Sequence, residues 1–160
     1  MFTTPFDITR VRAESDINLV RGLFVEYAES IRVDLEYQGF SAELAGLPGK
    51  YAPPTGELLL ARVDSEAGGC VALRALDSAT LEMKRLYVRP ATRGKGVGKL
   101  LVEAAITSAR QLGYAELRLD TLETMLSAQA LYRSFGFVEI PAYGAAYLPG
   151  TRFYALSLSD

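Results

Sequence analysis

Glycines occupy every second position from Gly94 to Gly98, with basic residues around them and an apolar helical pattern starting at Leu100. Glycines lack a Cβ atom, so the backbone can approach a ligand closely. The first amides of the following helix have no partner within the helix and lie at the positive end of its dipole. The sequence therefore predicts a cradle for a pyrophosphate at this helix start. We call it the glycine loop; its residues are Arg93, Gly94, Lys95, Gly96, Val97, Gly98 and Lys99.

The spacing of these glycines does not match the two common nucleotide fingerprints. The dinucleotide pattern G-x-G-x-x-G needs glycine at position 99, where this chain has Lys99. The P-loop pattern needs another glycine interval and a Lys-Ser/Thr ending, and both are missing here. The pattern that is present is Arg93-x-x-Gly96-x-Gly98.

This pattern and its surroundings resemble the GNAT superfamily of N-acetyltransferases. The family signature is R/Q-x-x-G-x-G/A after a strand of the form E-x-x-x-L-Y-V, which residues 82–88 match. The family's spacing continues in a later segment, Ala128-x-x-Leu131-Tyr132-x-x-x-Gly136-Phe137. The resemblance covers residues 57–158 well and the N-terminal part only in its order of elements. It implies direct transfer of an acetyl group from acetyl-CoA to a primary amine, with a small molecule as the expected acceptor.

The resemblance implies three catalytic roles. Glu82 would take a proton from the ammonium group of the acceptor, directly or through a water. The main-chain amide of Leu86 would face the developing oxyanion, and Tyr132 would protonate the leaving thiolate. The residues themselves also allow simpler interpretations, in which Glu82 pairs with Lys84 or Arg85 and Tyr132 packs within its helix.

The resemblance also implies how coenzyme A would be held. The strand around Leu86 would splay from its parallel neighbour, and the pantetheine arm would lie in the gap, bonded to free backbone groups. Met125 stands near a position where relatives often carry an asparagine that contacts the cofactor. The implied cofactor-binding residues are Leu86, Tyr87, Val88, the glycine loop from Arg93 to Lys99, and Tyr132.

The acceptor is expected on the opposite side of this gap, over the N-terminal helices and the 141–150 loop. Aromatic side chains there favour a shaped pocket for a small molecule. Asp34 and Glu36 could contact a cationic acceptor. The predicted lining residues are Tyr37, Phe40, Tyr143 and Tyr147, with Tyr51 as a further candidate.

Composition narrows the class of function. The net charge of −2 and the pI near 5.3 argue against nucleic acid as the main partner. The chain has no histidine, which excludes an imidazole base or a histidine-ligated metal, and its lone cysteine, Cys70, cannot form a disulfide within one chain. We expect no metal, no membrane association, a cytoplasmic location and one domain over residues 1–160. Exposed edge strands make a homodimer plausible.

Three alternatives stay open at this stage. The chain could be a catalytically silent acyl-CoA-binding or sensor domain that keeps the fold and the glycine loop. It could be an acetyltransferase for protein N-termini or lysines, or transfer another acyl group. A nucleotide-binding domain of another kind is a third possibility, which the motif spacing disfavours.

The elements that must position these residues follow from hydrophobic periodicity. The predicted fold is an α/β (α+β) GNAT fold: a mixed, mostly antiparallel sheet of about seven strands with a splayed parallel pair, flanked by four helices. Ser15 and Ser41 are the expected N-caps of the first two helices. Strands are predicted at 6–13, 57–63, 69–75, 79–88, 115–120, 137–140 and 151–158, and helices at 15–31, 41–47, 97–112 and 127–135.

Overall fold

The computed structural model describes residues 6–144 and 147–159, so part of the predicted 141–150 loop lies outside the described residues. In this part of the chain seven strands and four α-helices are present, as predicted. The strands are β1 (Phe6–Arg10), β2 (Glu57–Val63), β3 (Glu66–Ala75), β4 (Thr80–Val88), β5 (Glu116–Leu122), β6 (Val138–Ile140) and β7 (Thr151–Ser157). The helices are α1 (Glu14–Ile31), α2 (Phe40–Ala45), α3 (Val97–Gln111) and α4 (Leu126–Ser134).

The strands form one sheet in the order β1-β2-β3-β4-β5-β7-β6. Strands β4 and β5 run parallel, and the other neighbouring pairs of this sheet are antiparallel. Helix α3 makes the connection between β4 and β5, as a parallel pair requires. The predicted mixed sheet with one parallel pair is confirmed.

Helices cover both faces of the sheet, and each face has its own hydrophobic core. One core joins α3 and α4 to the sheet through residues such as Leu101, Ala105 and Tyr132. The other joins α1 and α2 to the opposite face through residues such as Phe24 and Phe40. The central strands β2 and β3 are buried on both faces, which explains their nearly continuous apolar sequences.

Two predicted helix caps were wrong. Helix α1 starts one residue before Ser15, and its N-cap residue is Ala13, which makes no side-chain capping bond. Helix α2 is capped by Gly39 in a left-handed conformation, and Ser41 lies inside the helix. The Ser41 amide donates instead to the Glu36 carboxylate at 2.9 Å, so a glutamate from the preceding 3-10 helix (Leu35–Gln38) supplies the acceptor.

Strand β4 contains a bulge at Arg85, whose φ of +61° is left-handed. The pairing register between β3 and β4 shifts between Cys70 and Ala72, opposite this position. Because a bulge adds one residue to a strand, Lys84 and Arg85 both point toward the α2 side of the sheet, although they are neighbours in sequence. The bulge therefore brings two cations to one face.

The Arg85 side chain connects the bulge to the segment that carries α2. Its guanidinium donates to both Glu43 carboxylate oxygens, at 3.0 and 2.9 Å, and to Gln38 Oε1 at 2.8 Å. It also lies 5.3 Å from the centre of the Phe40 ring, a cation–π distance. We call these contacts the Arg85 clasp. They fix α2 and the preceding 3-10 helix over the middle of the sheet.

No helix within the described ranges has both the length and the apolar character needed to cross a membrane.

The Arg85 clasp yields a first prediction. Glu43→Ala removes the carboxylate from a buried guanidinium, and breaking a buried pair in this way is expected to cost about 3 kcal/mol of unfolding free energy. Urea denaturation followed by circular dichroism measures the loss. As a matched control, Glu139→Ala removes the carboxylate from the exposed Arg152–Glu139 pair and should leave the midpoint unchanged. Equal losses in the two variants would contradict the clasp.

Candidate active site

Strands β4 and β5 pair over three residues and then separate. The ladder joins Thr80, Leu81 and Glu82 to residues 116–118, yet β4 continues to Val88 and β5 to Leu122. We call the resulting gap the fork. Backbone N–H and C=O groups facing the gap are without a strand partner there, and such groups need a partner when they are buried. The cleft at the fork is lined by Tyr27, Tyr37, Leu86, Asp120, Tyr132 and Tyr147, among others.

The glycine loop opens onto solvent at the start of α3. Gly94 and Gly96 have φ values of +80° and +85°, which favour glycine, whereas Gly98 lies in the first turn of the helix. No side chain caps this helix start, so its first amides remain available to an anion. Lys95 and Lys99 are exposed beside them. Arg93 points elsewhere, because its Nε donates to the Val88 carbonyl at 3.1 Å.

Tyr132 lies at the inner wall of the fork cleft. It is 5% exposed, and its ring packs against Phe137 and Tyr154 at centroid distances of 5.8 and 6.3 Å. Burial raises the pKa of the Tyr132 phenol well above its ordinary value. The phenol therefore keeps its proton over the whole neutral range. Tyr132 therefore packs in the core, as a helix tyrosine is expected to, and it also lines the cleft.

Glu82 is 2% exposed and is bonded through both carboxylate oxygens. Arg74 Nε donates to Oε1 at 2.9 Å, and the Tyr143 hydroxyl donates to Oε2 at 2.8 Å. The predicted alternative partners were wrong, because Lys84 pairs with Asp120 and Arg85 belongs to the clasp. The reason is register: Arg74 lies directly opposite Glu82 in the β3–β4 ladder.

Tyr143 brings the loop after β6 onto the sheet beside Glu82. Its ring packs edge-on against Phe153 at 5.0 Å, and the Arg118 guanidinium lies 5.3 Å from its centre. Burial, and then the nearby charge of Glu82, raise the pKa of the Tyr143 hydroxyl. It therefore stays protonated and acts as a donor to Glu82. Sequence analysis predicted Tyr143 as a lining residue of the acceptor site, but it did not predict the hydrogen bond to Glu82.

A second groove adjoins the fork cleft on the α2 side. We call it the side groove; it is lined by Gln38, Arg74, Glu82, Lys84, Asp120 and Tyr143, among others. Lys84 and Asp120 line both the groove and the cleft, so the two spaces meet at this pair. Sequence analysis missed Arg74, Lys84 and Asp120 as site residues. A hairpin register between β3 and β4 could have found Arg74, and alternation along β4 could have placed Lys84 on the same face as Glu82.

The other predicted acceptor residues are divided between cleft and core. Tyr37 and Tyr147 line the fork cleft. Phe40 does not: it is buried beneath Arg85 and contacts the site only through the clasp. Tyr51 packs in the core against Phe24, with the two rings perpendicular. Asp34 and Glu36 are used locally, since each accepts a backbone amide of the 3-10 helix and α2 segment.

The cofactor residues of β4 alternate between the two faces of the sheet. Leu86 and Val88 pack partly against the core on the α3 side. The Tyr87 side chain is buried in the other core, and its hydroxyl lies 3.3 Å from Glu26 Oε1. Tyr27, which the sequence did not single out, packs edge-on against Tyr87 and lines the cleft, and burial raises its pKa to about 12.

Comparison with known proteins places this site in context. The model of the acetyltransferase (GNAT) family matches residues 23–137. An uncharacterized N-acetyltransferase of Schizosaccharomyces pombe is 40% identical over 154 residues, which span 95% of this chain and 94% of that protein. A GNAT-family acetyltransferase structure from Staphylococcus aureus superposes with a TM-score of 0.79 at 23% identity, covering 97% of this chain and 100% of that one. A GNAT-family acetyltransferase from Elizabethkingia anophelis with acetyl-CoA bound gives 0.63 at 19% identity, covering 95% and 97%.

The glycine loop yields a second prediction, because the structure separates glycines that look equivalent in sequence. Gly96→Ala forces an L-residue to a φ of +85° and is expected to cost about 1–2 kcal/mol of unfolding free energy. Gly98→Ala has helical geometry, and its Cβ would meet Val88 and Leu131 at ordinary distances of 3.6 and 3.7 Å. It should leave stability unchanged or raised, since alanine favours helix. Chemical denaturation of both variants tests this ranking, and the reverse order would contradict the geometry.

Proposed function

We propose a function for this chain from one premise: the chain belongs to the GNAT family of acetyltransferases. The proposed reaction is direct transfer of the acetyl group of acetyl-CoA to the primary amine of a small molecule, within one acetyltransferase domain over residues 1–160. The observation that carries the proposal is the fork. It opens between β4 and β5 next to an uncapped helix start and is bordered by a buried tyrosine.

The residues present fit coenzyme A. When bound, acetyl-CoA supplies an acetyl group activated as a thioester. The first amides of α3, with Lys95 and Lys99 beside them, would hold its pyrophosphate. Backbone groups of Leu86 and Val88 would hold its pantetheine arm. Arg93 would join the phosphate contacts only after releasing the Val88 carbonyl.

Two donors at the fork would assist the reaction. The Leu86 amide would donate to the oxygen on which negative charge develops, and such preorganised donors usually supply the largest catalytic effect. Tyr132 would give its proton to the departing sulfur. Tyr132 lines the cleft at the fork and, as a phenol, carries this proton at neutral pH.

Glu82 would receive the proton of the acceptor ammonium, through a water in the side groove. Both of its oxygens already accept a hydrogen bond, from Arg74 and Tyr143, which fixes the carboxylate in one orientation. A carboxylate has further lone pairs, so it can accept from a water without losing these partners. Tyr37 and Tyr147 would contact the acceptor in the cleft, Tyr143 would cover it in the groove, and Phe40 would support the wall from below.

One observation favours a second candidate, an acyl-CoA-binding domain without catalysis. The Arg74 and Tyr143 bonds could hold Glu82 so firmly that it accepts no proton. Such a domain would bind acetyl-CoA and release no thiol with any amine. The two functions therefore predict the same binding of acetyl-CoA, but only the acetyltransferase releases thiol in the presence of an amine.

Binding is tested by thermal unfolding with acetyl-CoA, coenzyme A, ATP and NAD. A ligand that binds only the native state adds about 2.7 kcal/mol of stability at a hundredfold excess over its dissociation constant. Acetyl-CoA and coenzyme A are expected to raise the melting temperature, and ATP and NAD are not. Gly96→Asp, which adds bulk and negative charge at the cradle, should abolish the shift. Equal shifts with ATP or NAD would contradict a coenzyme A site.

Catalysis is tested by Tyr132→Phe. Loss of the proton donor is expected to lower kcat about a hundredfold, within the range for general acids. The KM for acetyl-CoA should change little, because the ring that packs beside the cleft is kept. The control is Tyr114→Phe, which removes a hydroxyl bonded to the Thr55 carbonyl away from the fork. An unchanged kcat in Tyr132→Phe would remove the proposed role of this residue and leave the family assignment intact.

A further inference from the structure

We infer that the acceptor is a small amino acid, with its amine beside Glu82 and its carboxylate beside Lys84 and Arg74. This inference rests on the proposed function and deepens it, because it names the chemical class of the amine. It is carried by a buried cation that opens onto the side groove and by the signs of the charges around it.

The surroundings of Lys84 indicate that an anionic ligand binds there. It is 8% exposed, yet its Nζ makes no hydrogen bond within the described residues, and its nearest carboxylate oxygen, on Asp120, is 3.5 Å away. An ammonium carries three donors, and the carboxylate beside Lys84 lies at the limit of hydrogen-bonding distance. The side chain lines both the fork cleft and the side groove. An anionic group in that space would give Lys84 a second and closer acceptor than Asp120.

Arg74 adds a second cation on the same floor. Its Nε is engaged with Glu82, while its two terminal nitrogens make no hydrogen bond within residues 6–144 and 147–159. It lines the side groove from β3, directly opposite Glu82. A guanidinium suits a carboxylate because its donors form a planar fork. The groove therefore offers donors from two cations to one anion.

The charges on the groove floor alternate in sign. Glu82 and Lys84 are two residues apart on β4, about 6.6 Å along the strand, and point to the same side. Arg74 adjoins Glu82 from β3, and Asp120 adjoins Lys84 from β5. The groove has a volume of about 240 Å³, with Tyr143 and Gln38 among its lining residues. A small molecule that carries both an ammonium and a carboxylate complements this pattern.

Other amines fit the floor less well. A diamine or polyamine would bring no anion to Lys84 and Arg74. A peptide N-terminus would present a neutral amide in place of the carboxylate and leave Lys84 with Asp120 as its only anionic partner among the described residues. A site built to hydrogen-bond one group discriminates strongly against analogues that lack it. The floor therefore favours free amino acids over protein N-termini.

The test is a matched acceptor panel assayed by release of coenzyme A thiol. It contains the protein amino acids, their α-carboxamides and the corresponding decarboxylated amines, each with saturating acetyl-CoA. At least one amino acid is expected to exceed its own amide and its decarboxylated amine in kcat/KM by tenfold or more. In Lys84→Met, which keeps an unbranched chain of similar length, the ratio of acid to amide should fall below threefold, mainly through a higher KM for the acid.

The control is Arg62→Gln, which removes an ion-paired arginine from β2, where it contacts Asp16 and lines none of the site. It should leave the ratio of acid to amide unchanged. Amides or bare amines that react as well as the amino acids in the wild type overturn the inference and leave the proposed function standing. A protein that binds acetyl-CoA but releases no thiol with any member of the panel overturns both. If Lys84→Met does not fold, the wild-type ratios still decide the question.

Discussion

The end of the β4–β5 ladder at Glu82 is the constraint on which the site depends. Parallel strands normally pair along their common length, and here they part after three residues. The backbone groups beyond that point need partners, and the glycine loop that follows β4 brings uncapped amides close to them. One break in hydrogen bonding thus leaves a row of strand groups and the start of a helix open to the same elongated ligand.

The bulge at Arg85 makes that break compatible with a stable fold. The left-handed residue turns two neighbouring basic side chains to one face, where they have different surroundings. Arg85 finds a carboxylate, an amide oxygen and an aromatic ring, and so holds the α2 segment. Lys84 has one carboxylate, that of Asp120 at 3.5 Å, and opens onto the groove. Of two adjacent cations, one stabilises the wall and the other remains available to a ligand.

Sequence reasoning worked where the information is local. The glycine loop, α3 and the order of the strands follow from short patterns, and each agrees with the structure to within a few residues. The caps of α1 and α2 failed because α1 begins one residue before Ser15 and α2 begins after the left-handed Gly39. The partner of α2 is Glu36, in a 3-10 helix that hydrophobic periodicity does not detect.

The chemistry around Glu82 was less predictable for a physical reason. Its partners come from two places that are distant in sequence, Arg74 through the register of a hairpin and Tyr143 through a loop that folds back onto the sheet. Neither contact is encoded in a spacing near residue 82. Lys84 shares the face of Glu82, two residues earlier on the strand, but it pairs with Asp120, which comes from β5.

The walls and the floor of the groove are built from different kinds of structure. The charged floor lies on β3, β4 and β5, in the middle of the sheet, where backbone hydrogen bonds fix each side chain. The aromatic walls come from a 3-10 helix, which carries Tyr37, and from Tyr143 and Tyr147, which lie between β6 and β7. Substitution in these walls can reshape the space around an acceptor without disturbing the strands. Related proteins could therefore differ in the side chain of the acceptor that they take, while they keep the charges that would bind its ammonium and carboxylate groups.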